Sequence, residues 1–443
     1  MMEKEDILNA VKEEGLRFVR LQFTDINGIL KSFEVSTKEI EDVLDNGQSF
    51  DGSSITGYSP IEESDMVAKP DPDTFAIIPW TSEGRKSARM ICNIYQPDGR
   101  RFTGDPRYIA QKASEEARKR GFVFKCGPEL EFFVFHHETE IPTPMDVGGY
   151  FDFHPGDLGE DMRRDIAATA EKFGLIIEVG HHECAKGQHE IDFRFDELVV
   201  TADRVATLKM VVKAVANKYG FFGTFMPKPV YGENGSGMHV HQSLWSPKGE
   251  NLFYGKNNKK LGNLSDRALY FIGGQLKFGK EMCAVLSSWP NSYHRLVPGY
   301  EAPVYIAWAF KNRSPLIRVP DVGKRKVASR IEIRCPDPAG NPYLQFAVLC
   351  HAGLEGIKKK VDPGESTEKN LYVMSRKERA DLGIESLPET FNQAIDEFEN
   401  SKFMEKALGK VAFKNFLDVK RVEWDMYKAQ ISNWELDRYL RWL

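Results

Sequence analysis

The chain has 443 residues, which at roughly 150 residues per domain predicts two or three domains. Hydrophobic residues make up 41% and charged residues 28% of the sequence, and this balance excludes disordered and fibrous proteins. Sixty Lys and Arg against sixty-five Asp and Glu give a net charge of −5, so nucleic acid is not the expected partner.

The cysteines and the N-terminus indicate in which cellular compartment the protein is expected. Six cysteines lie scattered along the chain without a C-x-x-C pair, which is typical of reduced thiols. The N-terminus is charged and lacks the apolar stretch of a secretory signal, and no segment is long and apolar enough to span a membrane. The sequence therefore predicts a cytoplasmic protein with no membrane partner.

Short β-strands are predicted first along the chain. Residues 18–26 and 29–35 are strand-like runs, and Asn27-Gly28 between them is a strong hairpin signal. Two more strand-like runs follow at residues 75–80 and 88–95. Turns around Gly104 then mark a boundary, so a small β-rich domain is predicted over residues 1–104.

The rest of the chain, residues 105–443, is predicted to form a larger α+β domain. Short strand-like runs alternate with long helical patterns, which cover residues 106–120, 158–173, 201–219 and 265–286. Asn341-Pro342 opens a further helix, because a capping side chain precedes a proline at the first helical position. The C-terminal part that follows is predicted to be mostly helical.

Four short runs alternate polar and apolar residues, so that each predicts a strand with one chemical face and one core face. These runs are residues 127–133, 190–195, 239–243 and 330–334. A solvated outer face explains any single run of this kind. Solvated faces favour Lys, Thr and Ser, however, whereas these four carry Glu, His and Arg. Together they favour a site that binds metals and phosphates.

If the faces converge, they bring together five glutamates and one histidine. These residues are Glu129, Glu131, Glu183, Glu190, Glu332 and His239. Oxygen-rich ligation without thiolate suits Mg²⁺ or Mn²⁺, and the charge is enough to hold two or more ions. The His-x-His pair alone, residues 239–241, is more often an ordinary pair of partly buried histidines.

Guanidinium groups are concentrated further along the chain, at Arg295, Arg313, Arg318, Arg330 and Arg334. Their planar fork binds carboxylates and phosphates, which is the other half of a metal-dependent phosphoryl-transfer site. A solvated basic surface is the alternative, but residues 314–320 are largely apolar around Arg318 and favour a specific anionic partner.

One motif match is misleading. Residues 274–280 fit the G-x-x-x-x-G-K pattern of a phosphate-binding loop. The next residue is Glu281 where Ser or Thr is required, and the match lies inside a helical pattern rather than after a strand. Nucleotide binding in this chain is therefore expected to use another architecture.

Ten sequence blocks, in their order, resemble type I glutamine synthetases over nearly the whole chain. The blocks are residues 50–54, 127–133, 181–183, 188–193, 226–229, 234–239, 291–293, 295–303, 312–314 and 330–334. The resemblance implies a β-grasp domain followed by a catalytic domain with a curved antiparallel sheet flanked by helices. It also implies a homo-oligomer, a dodecamer of two six-membered rings with active sites between neighbouring subunits, and small nitrogen-regulatory proteins as further partners.

The same resemblance implies roles for individual residues. It assigns Glu129, His239 and Glu332 to the metal beside the nucleotide phosphates, and Glu131, Glu183 and Glu190 to the metal beside the substrate. Glutamate binding is implied for Asn234, Gly235, Arg295, Glu301 and Arg334. ATP binding is implied for Glu178, Phe195, His241, Ser243, Arg313, Arg318 and Arg330.

The implied activity is the synthesis of glutamine from glutamate, ammonium and ATP through a γ-glutamyl phosphate, in nitrogen assimilation. Asp51 resembles the residue that binds ammonium and removes its proton, and Glu301 resembles the flap residue that closes the site. Arg313 resembles a residue that stabilises the transferring phosphoryl group.

Two alternatives remain open at this point. A γ-glutamyl ligase of the same family would join glutamate to an organic amine with the same metal and ATP residues. A catalytically inactive paralogue would act as a regulator. The intact loop around Asp51 disfavours the first, and the filled metal and phosphate positions disfavour the second.

Overall fold

The structure is a computed structural model, and it describes residues 2–58, 64–137, 141–256, 258, 262–300, 302–323 and 325–443.

The described residues of the N-terminal part form a small sheet with two α-helices. Its elements are α1 (Lys4–Glu13), β1 (Phe18–Thr24), β2 (Leu30–Ser36), α2 (Ile40–Asn46), β3 (Gln48–Asp51), β4 (Asp65–Pro70), β5 (Ala76–Ile77) and β6 (Ser87–Tyr95). The order in the described sheet is β2-β1-β6-β4-β3, and β5 pairs with β6. Val19 and Leu21 alternate with polar residues along β1 and are fully buried, so this face of the sheet forms the core.

The predicted hairpin is confirmed as the antiparallel pair β1 and β2. Gly28 has φ +86, a conformation that glycine adopts without strain. The Asp25 carboxylate accepts hydrogen bonds from the backbone N–H groups of Asn27 and Ile29, at 3.0 and 2.9 Å. Local turn chemistry therefore sets the register of the two strands.

The larger part combines helices with a long curved sheet. Its helices are α3 (Pro106–Lys119), α4 (Glu160–Glu171), α5 (Leu198–Lys218), α6 (Asp266–Lys277), α7 (Gly279–Leu286), α8 (Ser292–Arg295), α9 (Pro342–Lys359), α10 (Arg376–Asp381), α11 (Phe391–Glu399), α12 (Lys402–Leu408), α13 (Lys410–Lys428) and α14 (Asn433–Tyr439). Its strands are β7 (Val123–His136), β8 (Ile177–His182), β9 (Gln188–Phe193), β10 (Asp196–Glu197), β11 (Phe221–Thr224), β12 (Val240–Trp245), β13 (Tyr305–Ala309), β14 (Pro315–Arg318), β15 (Ile331–Ile333) and β16 (Glu385–Ser386).

The described strands of this sheet run in the order β16-β13-β14-β15-β12-β7-β9-β8, with β10 and β11 also paired to β7. All of these pairs are antiparallel except β13 and β14, which run parallel. Helices flank the sheet, so the predicted α+β class, a β-grasp domain before a curved sheet, is confirmed. The boundary at residue 104 stays a prediction; β6 ends at Tyr95 and α3 begins at Pro106.

Two predicted elements differ from the structure. The helix expected over 265–286 is two helices, α6 and α7, which meet at Phe278. The Phe278 ring is buried and stacks on Phe403 at 4.0 Å between centroids. This packing favours a break at Phe278 over one continuous helix. The strand expected over 75–80 shortens to β5, because Pro79 cannot donate to a sheet.

Helices α6 and α9 cross in direct backbone contact. A Cβ atom added to Gly274 would lie 2.7 Å from the Cα of Gly356, so each helix needs a glycine at the crossing. Gly274 is also the first residue of the misleading phosphate-loop pattern, and its place inside α6 confirms that the match is false. Asn341 caps α9, and its Nδ2 donates to the carbonyls of Asp25 and Ile26 in the N-terminal hairpin.

Arg107, at the start of α3, connects the two parts of the chain. Its side chain is 6% exposed and donates to both carboxylate oxygens of Asp203 on α5, at 3.0 and 2.9 Å. It also donates to Asp71 at 2.8 Å and to Asn93 at 2.7 Å, which both belong to the N-terminal part. The buried cation is therefore fully paired across the junction.

Arg107→Met is expected to lower the free energy of unfolding by about 3 kcal/mol or more, because it leaves the Asp203 carboxylate buried without its partner. Arg100→Met is the matched control, since Arg100 is exposed and its ion pair within the described residues is with Asp98, and it is expected to change stability by at most about 0.5 kcal/mol. Urea unfolding of both variants measures the difference, and equal midpoints would contradict the assigned role.

The described residues include no helix that is both long and apolar enough to cross a membrane. Of the six cysteines, Cys184 is partly exposed and the other five are buried.

Candidate active site

A cavity of about 280 Å³ lies on the curved sheet where β7, β9, β12 and β15 meet. The six predicted metal ligands all line it: Glu129, Glu131, Glu183, Glu190, His239 and Glu332. Six other predicted site residues line it as well: Asn234, Gly235, Arg295, Arg313, Arg318 and Arg334. The four amphipathic runs therefore do converge on one site.

The alternation of side chains along the strands produces this convergence. Glu129 and Glu131 line the cavity from β7, while Leu130 and Phe132 between and beyond them are fully buried on the other face. Glu190 on β9 lies directly opposite Glu131 in the antiparallel register. Cross-strand neighbours share a face, so the carboxylates of the two strands lie side by side.

One group of potential ligands consists of Glu129, His239 and Glu332, whose ligand atoms lie within 4.8 Å of one another. The Oε2 of Glu129 is 3.0 Å from Nδ1 of His239. Burial alone would raise the pKa of Glu129, but the adjacent His241 and His239 hold it well below its usual range. This carboxylate is therefore ionised and available as a ligand.

His241 joins this group to an arginine. The Nε of Arg330 donates to Nδ1 of His241 at 3.2 Å, so the proton of a neutral ring sits on Nε2. That Nε2 donates to Oε1 of Glu129 at 2.6 Å. The hydrogen bond from His241 therefore fixes the orientation of the Glu129 carboxylate.

Glu332 lies between two arginines and is 2% exposed. The Nη1 of Arg318 donates to its Oε2 at 2.7 Å, and the Nε of Arg334 lies 3.1 Å from its Oε1. Burial opposes ionisation, yet the nearby His241, His239 and Arg334 together lower the pKa of Glu332. The guanidinium groups of Arg318 and Arg334 therefore both lie close to the Glu332 carboxylate.

A second group of potential ligands consists of His181, Glu183 and Glu190, again within 4.8 Å. Burial and the neighbouring Glu129 and Glu183 raise the pKa of Glu190 to about 9. Burial and the charges of Glu190 and Glu183 raise the pKa of Glu131 well above its usual range. These carboxylates repel one another and need an added positive charge to ionise together.

The two groups fit divalent cations. Crowded carboxylate oxygens with one imidazole in each group are the donors that Mg²⁺ and Mn²⁺ accept, and thiolate is not required. A third group, Asp146, His182 and His189, is different because all three of its members are buried, whereas two members of each other group are partly exposed. His182 bonds Asp146 at 2.9 Å and the carbonyl of Glu183 at 2.7 Å, so this group supports the Glu183 turn.

Arg295 and Gly235 form another part of the cavity lining. Arg295 is 4% exposed, and its guanidinium donates to the carbonyls of Cys335, Pro336 and Arg334. A Cβ atom at Gly235 would lie 2.4 Å from the carbonyl oxygen of Pro227, so only glycine allows this close approach.

Several residues predicted to bind ATP lie beside the cavity and not among its lining residues. Phe195 is 42% exposed and stacks on Trp245 at 6.0 Å between centroids. The Ser243 hydroxyl accepts a hydrogen bond from Trp245 at 2.9 Å. Glu178 is exposed and pairs with Arg194 at 3.4 Å. Phe195 and Trp245 provide a flat aromatic surface next to His241.

Asp51 does not reach this cavity. It ends β3 in the N-terminal part, is exposed, and its Oδ1 accepts hydrogen bonds from the N–H and hydroxyl of Ser53 at 2.8 and 2.7 Å. These bonds lower the pKa of Asp51, so the carboxylate is ionised. Glu301 lies outside the described residues, although its neighbours Tyr300 and Ala302 line the cavity.

His181, Gln188 and Asp192 are polar residues at or beside the site to which sequence reasoning assigned no role. His181 belongs to the second ligand group, and Gln188 bonds Glu131. No described residue hydrogen-bonds the buried Oδ1 of Asp192, and burial with the charges of Glu190 and Glu129 raises the pKa of Asp192 to about 9. Asp192 was indicated by the sequence, because it alternates with Ile191 and Phe193 on the same strand as Glu190, whereas Gln188 is followed by His189 and lacks this pattern.

Comparison with known proteins identifies the family. The profile "Glutamine synthetase, beta-Grasp domain" matches residues 15–97, and "Glutamine synthetase, catalytic domain" matches residues 103–439. The chain is 52% identical to the glutamine synthetase of Methanosarcina mazei over 443 residues, covering 99% of this chain and 98% of that one. It is 48% identical to the glutamine synthetase of Thermotoga maritima over 442 residues, covering 99% and 100%.

Solved structures agree with the sequence matches. The structure titled "GmaS/ADP complex-Conformation 1" superposes with a TM-score of 0.87 at 32% identity, covering 98% of this chain and 99% of that chain. "Apo GmaS without ligand" gives a TM-score of 0.88 at the same identity and coverage.

A β-grasp domain before a curved sheet that carries an acidic, arginine-lined cavity defines a class of two-domain ligases. The chain belongs to the glutamine synthetase family, and the predicted enzyme class is confirmed.

Proposed function

We propose that the protein makes L-glutamine from L-glutamate, ammonium and ATP through a γ-glutamyl phosphate. The observation that carries the proposal is the convergence of five glutamates, His239 and the arginines in one cavity of a glutamine synthetase fold. Two or more Mg²⁺ or Mn²⁺ ions held by these carboxylates would neutralise phosphate charge. The proposed metal sets are Glu129, His239 and Glu332 on one side and Glu131, Glu183 and Glu190 on the other.

The arginines have the geometry for phosphoryl transfer. Glutamate binds with its carboxylates near Arg295 and Arg334 and beside the Asn234–Gly235 loop, so that its γ-carboxylate faces the ATP phosphates. Arg313 and Arg318 line the same cavity and stabilise the charge of the transferring phosphoryl group. The adenine ring rests on the aromatic surface of Phe195 near Ser243 and Glu178, with Arg330 beside the phosphates.

Amine attack then requires a proton acceptor. The ionised Asp51 carboxylate binds ammonium and removes its proton, and Glu301 closes the site and accepts a proton from the adduct. Closure keeps water from the acyl phosphate, which would otherwise hydrolyse. A γ-glutamyl ligase for organic amines is the alternative function, and it uses the same glutamate and ATP positions.

The purified protein is expected to form glutamine and ADP from glutamate, ammonium and ATP only when Mg²⁺ or Mn²⁺ is present. The reason is that the carboxylates of the cavity repel each other and the phosphates without added cations. The measurement is product formation with each metal, with excess chelator, and with a panel of amines in place of ammonium. Full turnover in chelator would refute the metal requirement, and preference for a bulky amine would favour the alternative ligase.

Asp51 leads to a proposal about assembly. Since Asp51 does not line the cavity of its own chain, we place it at the cavity of a neighbouring subunit, in a dodecamer of two six-membered rings. Small nitrogen-regulatory proteins are proposed as further partners. Each active site then contains residues from two chains.

Mixing Asp51→Ala subunits with Glu129→Ala subunits is expected to restore activity, although each variant alone is inactive. Co-assembly creates some sites in which Asp51 comes from one chain and Glu129 from the other, and both are intact there. The measurement is glutamine formation after the two variants are dissociated and reassembled together, with each variant reassembled alone as the control. A fully active monomer in light scattering would contradict the shared site.

A further inference from the structure

Gln188 is buried at the start of β9, with 1% of its surface exposed. Its Oε1 accepts the N–H of Ala185 at 3.1 Å, and this bond fixes which way the side-chain amide points. The Nε2 group therefore faces Glu131, and it donates to Oε2 of that carboxylate at 2.9 Å. A bond from a neutral donor to a carboxylate is stronger than a bond between neutral groups.

The same Oε2 of Glu131 accepts a second hydrogen bond, from the backbone N–H of Gly237 at 3.0 Å. A Cβ atom at Gly237 would lie 2.7 Å from a nitrogen of Arg295, so the close approach of this N–H depends on glycine. Two donors thus occupy Oε2 and direct the carboxylate. Its other oxygen, Oε1, is left for a ligand in the cavity.

The Nε2 of Gln188 also reaches the loop on which Gly235 lies. It is 3.3 Å from the carbonyl oxygen of Gly235 and 3.3 Å from the hydroxyl of Ser236. The loop is held from its other side by the N–H of Ser236, which donates to the carbonyl of Pro227 at 2.8 Å. One amide group therefore touches both a proposed cation ligand and the proposed glutamate-binding loop.

We propose that Gln188 is a positioning residue that couples the cation site at Glu131 to the glutamate-binding loop at Asn234 and Gly235. This inference rests on the proposed function. Without the Gln188 amide, Glu131 loses one of the two donors that direct it, and the loop loses its contact with the floor of the cavity. Cation binding and glutamate binding weaken together, while the ATP side of the cavity keeps all of its contacts.

The test compares Gln188→Met, which keeps the length of the side chain, with Gln188→Asn, whose amide is too short to reach both partners. Mn²⁺ binding is measured by electron paramagnetic resonance on enzyme without nucleotide, and KM is measured for glutamate and for ATP. Removing a residue that orients a metal ligand is expected to weaken Mn²⁺ binding by about 10- to 100-fold. The KM for glutamate is expected to rise by about 10-fold and the KM for ATP by at most about twofold.

Gln242→Met is the matched control. Gln242 is also a buried glutamine on a strand of this sheet, but it pairs with Gln275 and is not among the residues that line the cavity. It is expected to cost stability without changing Mn²⁺ affinity or the KM for glutamate.

The outcomes separate the inference from the function on which it rests. Wild-type affinity for Mn²⁺ and an unchanged KM for glutamate in a folded Gln188 variant would overturn the inference alone. A rise in the KM for ATP equal to that for glutamate would also overturn it, because the residue would then be merely structural. If the wild-type enzyme bound no Mn²⁺ at all, the proposed function would fail, and the inference with it.

Discussion

Glu332→Gln is expected to lower kcat by about 10²-fold or more while the protein stays folded. Glutamine keeps the size of the side chain but loses the negative charge that holds the Arg318 and Arg334 guanidinium groups at 2.7 and 3.1 Å. It also replaces a charged carboxylate ligand in the group with Glu129 and His239 by a neutral amide. Both changes are expected to weaken the stabilisation of the transferring phosphoryl group, so kcat is expected to drop more than the affinity for glutamate.

The measurement is glutamine formation at saturating ATP and glutamate across a range of Mn²⁺ concentrations. Glu385→Gln is the matched control, because Glu385 is exposed and pairs only with Lys280 at 2.9 Å in the described part of the chain. Its kcat is expected to be unchanged. If the activity of Glu332→Gln were within about twofold of wild type, Glu332 would have no role in catalysis.

Asp51→Asn is expected to reduce the use of ammonium by about 10²- to 10⁴-fold, the usual contribution of a general base. The amide oxygen of asparagine can still accept the hydrogen bonds from Ser53. The substitution removes the negative charge and the basic oxygen to which the proposed function assigns ammonium binding and deprotonation. Binding of glutamate and ATP is expected to be unaffected, since asparagine keeps the shape of the side chain and the proposed glutamate and ATP positions are other residues.

Hydroxylamine provides the internal control for this variant. It already carries a free lone pair at neutral pH, so it needs no deprotonation, and its rate is expected to fall far less than the rate with ammonium. Both nucleophiles are compared in wild type and Asp51→Asn at saturating metal. An equal fall for both would make Asp51 a structural residue rather than a base.

Local patterns in the sequence predicted much of the fold. The hairpin at Asn27-Gly28 and the helix start at Asn341-Pro342 follow from turn and capping chemistry, which depends on neighbours in sequence. The break between α6 and α7 was not predictable in this way, because it depends on Phe278 meeting Phe403 far along the chain. The β-grasp arrangement came from resemblance to a family, since pairing of distant strands leaves no local signal.

For the candidate site, period-two alternation identified the cavity-lining glutamates on β7 and β9. The same alternation did not single out Gln188, because a neutral amide on a chemical face gives no charge signal. The tautomer of His241 depends on Arg330 from another strand, so no sequence pattern predicts it. The roles of these residues in catalysis remain predictions for the experiments above.

Gly274 and Gly356 set how closely α6 and α9 approach each other. Any side chain at Gly274 or Gly356 would push α9 outward, and Asn341, which caps α9, contacts the hairpin of the N-terminal part. We expect a displacement of Asn341 to shift this hairpin through the hydrogen bonds that its side chain donates to Asp25 and Ile26. A substitution deep in the helical layer would then disturb the junction between the two parts of the chain, although the altered atom lies in neither ligand group of the cavity.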